Sequence, residues 1–264
     1  MEDQLPCISI VTVVRNNLQG LITTAESIQR QTYKKIEHVI VDGASTDGTL
    51  DWLAAYKPNY RVSFISEPDN GIYDAMNKGT TLASGDIVQF LNGGDELAAG
   101  SVLNIVAQSY RESRWDWAYG QIRYVNGKYE RIREYSFSPF SLKKLSMGLA
   151  FTPHPATFVK RSRIETMGGF RSDFGFSADQ EMAVRLGKQG SPNVIDTVIA
   201  NYLIEGAHGA SKPADTARRY ARIRQANGLL VGGSRVLDAG FTIALATFWT
   251  ARAQAGRLRQ YTNR

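Results

Sequence analysis

Short apolar runs alternate with amphipathic stretches of helical length through the first hundred residues. Residues 7–14 (Cys-Ile-Ser-Ile-Val-Thr-Val-Val) are β-branched and almost wholly apolar, the composition of a strand covered on both faces. Asn16 or Asn17 can cap a following helix in which Leu18, Leu21, Ile22, Ala25 and Ile28 recur at helical spacing. A second buried strand is predicted over 36–41, ending at Asp42-Gly43, with a helix over 49–56 and a third strand over Arg61–Ser66. The loop Glu67-Pro68-Asp69-Asn70-Gly71 leads into a helix over Ile72–Leu82. Residues 86–96 then read as a buried strand (Ile87, Val88, Phe90, Leu91) that stops at Asn92-Gly93-Gly94-Asp95-Glu96. Strands and helices in this alternation predict an α/β fold built on a parallel, doubly wound sheet.

After a helix near 101–110 the pattern changes. Residues 118–125 and 128–135 flank Asn126-Gly127, the signal of a hairpin closed by a two-residue turn. Residues 136–155 are irregular and contain Pro139, Pro153 and Pro155. A strand over 156–160, a helix over 178–188 and a strand over 194–203 complete the body. Beyond Ser211 come two basic helical stretches, the second uncharged for 13 residues (239–251) and bearing Phe241, Phe248 and Trp249. That run is shorter than the ~20 apolar residues a membrane span needs. It suits a helix lying in a membrane interface, with Arg252, Arg257 and Arg259 meeting headgroups, or one docked on its own body or on a second subunit as a homodimer.

Composition narrows the class. With 264 residues, 43% hydrophobic and 21% charged, the chain can bury one sizeable core, or one core with an appendage. The single cysteine, Cys7, excludes an internal disulfide and suits a reducing, cytoplasmic compartment. The acidic start, Met1-Glu2-Asp3-Gln4-Leu5-Pro6, does not read as a signal peptide. Residues 212–264 hold ten Lys/Arg and two Asp, a net charge of +8, which leaves residues 1–211 at −2 against the overall +6. A nucleic-acid binder would spread its charge over a folded face with interleaved aromatics. A basic tail beside an apolar segment points instead to the anionic inner face of a membrane.

Several chemistries are excluded by motif. Arg15-Asn16-Asn17 after the first strand lacks the glycines of a dinucleotide fingerprint, and neither a P-loop nor His-Glu-x-x-His occurs. Gly43-Ala44-Ser45-Thr46-Asp47 fails the nucleophile elbow at its last position. Three histidines and one cysteine do not make a dedicated zinc site. What remains is a set of carboxylates at strand ends. Asp42 can accept from a base N–H or a ribose hydroxyl, or close an Asx-turn. Asp74, Asn77 and Lys78 follow a glycine loop, and Lys78 could meet a phosphate or solvent. Asp179 precedes an amphipathic helix and could cap it.

Taken together these stretches resemble glycosyltransferase family 2. Ile8-Ser9-Ile10-Val11-Thr12-Val13-Val14-Arg15-Asn16 looks like its opening strand, and Glu37-His38-Val39-Ile40-Val41-Asp42-Gly43-Ala44-Ser45-Thr46-Asp47-Gly48-Thr49 like its nucleotide-binding strand and loop. Glu67-Pro68-Asp69-Asn70-Gly71-Ile72-Tyr73-Asp74-Ala75-Met76-Asn77-Lys78-Gly79 matches a segment typical of bacterial surface-polysaccharide members. The motifs run in order through Glu96, continue more weakly through His154-Pro155 and 177–182, and leave the tail outside.

The resemblance implies a GT-A fold: a Rossmann-like, mostly parallel central sheet flanked by helices, here with a C-terminal helical extension. A transferase domain is expected over 1–211, with its nucleotide-binding half over about 1–100 and its acceptor half over about 101–211; 212–264 forms a basic helical tail. It implies inverting transfer of a sugar from a nucleotide-diphosphate donor to a glycan or lipid-linked acceptor. Asp42 would hold base or ribose, with the backbone of Thr12, Val14 and Arg15 lining the pocket and Asp74, Asn77, Lys78 and Asn92 beside the donor. Asp95 stands where the last Asp of the family's metal motif falls, with Asn92 and Gly94 in the earlier acidic positions, so one carboxylate would meet Mg²⁺ or Mn²⁺. His208 would be a second contact to phosphate or metal. Asp179 matches the family's catalytic base, Ala178 standing where an acid usually precedes it, with Glu181 in reserve. Two other classes stay open: a sugar nucleotidyltransferase, for which the first loop offers only Arg15 to a triphosphate, and a non-catalytic sugar-nucleotide-binding protein.

Overall fold

A computed structural model describes residues 5–204 and 212–262 of the chain. The apolar runs of its first half become neighbouring strands. β1 (Ile8–Val14) and β2 (Ile36–Asp42) are buried along their whole length and pair in parallel, with Val14 opposite Asp42. β3 (Arg61–Ser66) adds to β2 in parallel, Asp42 opposite Ser66, and as the sheet edge it is only half-buried. β4 (Ile87–Phe90) lies parallel on the other side of β1. Beyond Phe90 the chain keeps following β1: the N–H groups of Leu91 and Gly93 donate to the Val11 and Val13 carbonyls at 3.0 and 3.2 Å. The carboxyl ends of four parallel strands therefore share one edge, where open α/β sheets gather ligand groups.

The helices follow their sequence signals. Asn17 caps α1 (Leu18–Gln29), its side chain accepting from the Gly20 N–H at 3.1 Å, and Leu21, Ala25 and Ile28 face the core. α2 (Thr49–Ala55) follows β2, and α3 (Ile72–Leu82) packs against the sheet through Gly79. A Cβ at Gly79 would lie 2.4 Å from Val11 Cγ1 and 3.3 Å from Val41 Cγ2. Gly79→Ala is therefore expected to destabilise the fold by a net ~1 kcal/mol, overpacking outweighing alanine's better helix propensity. Urea denaturation checks this; an unchanged midpoint would mean that the helix can stand off the sheet at no cost.

The second half turns the sheet mixed. After β5 (Glu96–Leu97) and α4 (Val102–Ser113) come β6 (Trp117–Val125) and β7 (Arg131–Tyr135). α5 (Leu142–Ser146), β8 (Thr157–Lys160), α6 (Arg161–Thr166), α7 (Ala178–Gln189) and β9 (Asn193–Leu203) complete it. The strand order is β3-β2-β1-β4-β8-β6-β9-β5, with β7 against β6. β8 pairs antiparallel with both β4 and β6, while β6 and β9 run parallel. The parallel sheet predicted from the first hundred residues thus becomes the parallel half of a larger mixed one.

The two-residue Asn-Gly turn is not formed. Residues 126–130 make a longer loop in which the Asn126 side chain accepts from the N–H groups of Lys128 and Glu130, both at 3.0 Å. Tyr129 takes a positive φ of 59° there, and its hydroxyl donates to the Gly94 carbonyl at 2.9 Å. That tie from the loop to the glycine corner explains why the loop is longer than the turn chemistry alone requires.

The chain separates into two compact units, one within 1–140 and 152–206, the other within 141–151 and 207–264. The second unit comprises α5, α8 (Pro213–Ala226) and α9 (Arg235–Thr262). The segment 141–151, expected within the acceptor half, packs with these helices instead. Its organising group is Arg224, fully buried. Arg224 Nε donates to Asp238 Oδ1 at 2.6 Å, Nη2 to Thr242 Oγ1 at 2.8 Å, and Nη1 to the Ser146 carbonyl at 3.3 Å. A buried guanidinium satisfied on several sides locks α8, α9 and α5 together, whereas removing one partner would leave a charge stranded. No described helix is long and apolar enough to cross a membrane.

Candidate active site

Two loops at the ends of β1 and β2 are tied to each other. Asn16 takes a positive φ of 49°, its N–H donates to Ser45 Oγ at 2.7 Å, and its Oδ1 accepts from the Thr46 N–H at 2.8 Å. Asp47 accepts from the Leu18 N–H at 2.9 Å and from Thr49 Oγ1 at 2.6 Å, holding the starts of α1 and α2. Those hydrogen bonds, Thr49's first, hold its carboxyl below the usual range. The polar run after Asp42 is thus a scaffold.

Asp42 stands inside that scaffold. It is fully buried; its Oδ2 accepts from the Ser45 N–H at 3.0 Å and from Ser66 Oγ at 2.6 Å. Its Oδ1 has no hydrogen-bond partner among the described residues. An enclosed carboxylate oxygen without a donor is costly, so the geometry presents an acceptor awaiting one. Over the adjacent Gly43 lie Arg15 and Asp69: a Cβ there would be 2.5 Å from Asp69 Oδ2 and 3.2 Å from Arg15 Cδ. Lacking a Cβ, Gly43 makes room for the Arg15 and Asp69 side chains next to Asp42.

The other expected donor contacts are distributed differently. Thr12 is buried with its hydroxyl 2.9 Å from His38 Nε2, and burial drives the His38 pKa down to about 3. The Val14 carbonyl is taken by the Gly43 N–H at 2.9 Å. Of the three expected lining residues only Arg15 leaves the sheet. Asn77 spends both amide atoms on Phe170, its Oδ1 accepting from the backbone N–H at 2.8 Å and its Nδ2 donating to the carbonyl at 2.9 Å. Lys78 grips the loop before α3, through Glu67 and the Pro68 carbonyl, each at 2.8 Å. Asp74 accepts from the Asn70 N–H at 2.9 Å. Asp74, Asn77 and Lys78 hold the loop and the helix rather than project as ligand groups. Asn92 differs, since its Oδ1 is buried without a partner among the described residues.

At the glycine corner the backbone turns at Gly94, with φ +107°, and Glu96 and Asp95 diverge. Glu96 faces Arg30 at 3.0 Å. Asp95 turns inward: its Oδ1 accepts from the Leu203 N–H at 3.1 Å, and it is almost fully buried. Burial pushes its carboxyl up to about 7, the Leu203 bond pulling weakly the other way. An unfolded carboxyl loses its proton near 3.8 and this one near 7, so stability falls as pH rises between those values. Asp95→Asn, which keeps the acceptor for Leu203, should be roughly 3–4 kcal/mol more stable than the parent at about pH 8 and equal to it at about pH 4. Parallel pH–stability profiles in urea would contradict this. The donor set for a metal is one hard oxygen; among the described residues no group of three His, Cys, Asp or Glu could hold an ion. One carboxylate suits a cation whose remaining ligands are phosphate and water. His208 lies outside the described residues.

Asp179 sits in the first turn of α7, after the N-cap Ser177, so it is not the cap. Its Oδ2 accepts from Gln180 Nε2 at 3.0 Å, and its Oδ1 makes no hydrogen bond among the described residues. It opens on a small cleft walled by Phe90, Phe170, Met182 and Leu186. Glu181, the reserve candidate, is fully buried and engaged by Arg185 at 2.8 Å and Arg171 at 3.2 Å. Its role is to anchor α7. Sequence reasoning missed Tyr202 and Tyr73. Burial, then the Asp95, Tyr124 and Asp179 charges, push the Tyr202 hydroxyl far up. Tyr73 is raised by burial and then by Asp179. These phenols place Asp95 and Asp179 within one electrostatic neighbourhood. Ser66 and Asp69 were also missed, although matching the end of β3 to Asp42 would have found Ser66.

The family model described as Glycosyl transferase family 2 matches residues 9–173. The chain belongs to this family. It is 34% identical over 216 residues to an uncharacterized glycosyltransferase of Mycobacterium tuberculosis, the match covering 79% of each chain. A PGL/p-HBAD biosynthesis glycosyltransferase of Mycobacterium bovis is 32% identical over 185 residues, covering 68% of this chain and 69% of its own. Among solved structures, Staphylococcus aureus TarS 1–349 in complex with UDP-GlcNAc superposes with a TM-score of 0.67 at 20% identity, covering 92% of this chain and 71% of that one. The mannosyltransferase PcManGT of Pyrobaculum calidifontis, in complex with GDP-Man and Mn²⁺, gives a TM-score of 0.65 at 17% identity over 96% of this chain and 76% of that one. The fold of this family 2 transferase is GT-A, as expected from its motifs.

Proposed function

We propose that this glycosyltransferase moves a sugar from a nucleotide-diphosphate donor to a hydroxyl of a glycan or lipid-linked acceptor, with inversion, at the cytoplasmic face of the membrane in cell-surface glycan synthesis. The observation that carries the reading is the buried, unpartnered Asp42 Oδ1 at the junction of β1, β2 and β3. A ribose hydroxyl or base N–H supplies the missing donor, with Arg15 and Asp69 packed over the adjacent Gly43. The nucleotide sugars in the TarS and PcManGT structures support this class of donor, and the PGL/p-HBAD biosynthesis named for the mycobacterial relative supports a biosynthetic glycosyl transfer.

Asp179 is the base in this reading. Its Oδ1 takes the proton of the acceptor hydroxyl as that oxygen attacks the anomeric carbon. The bond from that carbon to the diphosphate oxygen breaks, and the electron pair leaves on the diphosphate. Attack from the face opposite the leaving group inverts the centre. Asp95 would hold Mg²⁺ or Mn²⁺ on the diphosphate, where the cation neutralises charge as the leaving group departs. Asn92 Oδ1, which makes no hydrogen bond among the described residues, would accept from a hydroxyl of the donor.

Product analysis tests the reaction class. Incubation with a matched donor and acceptor should release free nucleoside diphosphate together with the glycosylated acceptor. Pyrophosphate release would instead assign a nucleotidyltransferase, and donor binding without turnover a binding protein.

A further inference from the structure

The outward face of α9 has no counterpart in the catalytic reading. Within the second unit, Asp238, Leu245 and Trp249 turn toward α8 and α5, with Asp238 and Leu245 buried. Away from that stripe the helix presents Val236 (80% exposed) and Ile243 (68%) on its far side and Phe248 (58%) on its flank, a broad solvent-facing arc. Between them lie Gly240, Ala244 and Thr247, and no charged residue occurs from 239 to 251. A helix on a soluble surface normally carries its polar residues outward; this one is apolar on both sides. A groove of about 390 Å³ beside it, between α8 and α9, is lined by Ala214, Ala221, Ala239, Ile243 and Ala246, with Arg218 and Gln225 also on its wall.

Charge decides what covers it. Asp215 and Asp238, the acids of 212–264, pair with Arg218 and Arg224 inside the unit, so the segment's net +8 is wholly basic. Arg235 and Arg252 are exposed and bracket the apolar stretch. A second copy would bring an equal positive charge to the same face, and like charges across an interface oppose pairing. An anionic surface with an apolar interior matches both features.

We infer that the outward face of α9 docks on an anionic lipid bilayer, Val236, Ile243 and Phe248 entering the headgroup region while the surrounding arginines meet lipid phosphates. This goes beyond the transferase reading and concerns the C-terminal unit alone, so its test does not depend on activity. Full-length protein is sedimented with phosphatidylcholine vesicles made with and without phosphatidylglycerol, in parallel with Ile243→Glu/Phe248→Glu. Both positions are exposed, so the double variant should melt at the parent's temperature. The parent should pellet with the anionic vesicles, poorly with neutral ones, and less at high salt, where screening shortens to ~3 Å. The double variant should partition at least ~10-fold less. Equal pelleting of parent and variant, or no pelleting with anionic vesicles, would overturn the inference. So would a parent dimer in sedimentation velocity that becomes monomeric in the variant without any vesicle binding, since the face would then belong to a second copy.

Discussion

Asp179→Asn is expected to lose turnover by at least ~100-fold while binding the donor as tightly as the parent, the scale of removing a general base. Asparagine keeps the shape and can still accept from Gln180 Nε2, which the parent carboxylate does at 3.0 Å. It cannot take a proton from the acceptor. The fold should be indifferent, because Asp179 neither caps α7 nor forms an ion pair seen among the described residues, unlike its neighbour Glu181. Turnover and donor affinity measured on one preparation separate the roles. Near-normal turnover would remove Asp179 from the mechanism, and Glu181 could not replace it while clamped by Arg171 and Arg185.

The second large effect is expected at the other end of the site. Asp42→Asn should raise the donor KM by ~10–100-fold with kcat little changed, the worth of one hydrogen bond to a charged group. The amide can still accept from Ser45 and Ser66, so the scaffold around it stays satisfied, but it offers an N–H where the donor needs an acceptor. Asp42→Ala would add loss of those two contacts, and the asparagine variant is therefore the cleaner reading. A fall in kcat with unchanged KM would mean that Asp42 acts on the transition state rather than on the nucleotide.

The split between what could and could not be read follows the range of the interactions. The strands found at 8–14, 36–42 and 61–66 were legible because their apolar, β-branched residues and the polar loops that end them are local signals. The two-residue turn at Asn126-Gly127 failed because Asn126 bonds forward to Glu130 and the loop reaches across to Gly94, a contact with no trace in the turn itself. Asn77 and Lys78 looked like ligand groups; Asn77 serves Phe170, 93 residues away, while Lys78 serves a loop ten residues back. Asp95 and Glu96 are adjacent carboxylates, and only their distant partners, Leu203 and Arg30, show which one turns inward. Likewise the helix around Ser141 gave no hint of joining the C-terminal unit, because its tie is to Arg224 through a backbone carbonyl.

Donor binding to the folded protein can be followed through its effect on thermal stability. In a thermal-shift series over uridine, guanosine and thymidine diphosphate sugars with Mn²⁺, one nucleotide sugar at ~100 times its Kd should stabilise the native state by about 2.7 kcal/mol. In a domain of this size that is a rise of roughly 5–10 °C. On the proposed reading Asp95 would hold a divalent cation that neutralises the diphosphate, so the shift should shrink in EDTA; in Asp42→Asn, with binding weakened ~10–100-fold, it should fall to about 0.4–1.4 kcal/mol. A nucleotide sugar that stabilises Asp42→Asn as strongly as the parent would contradict the account.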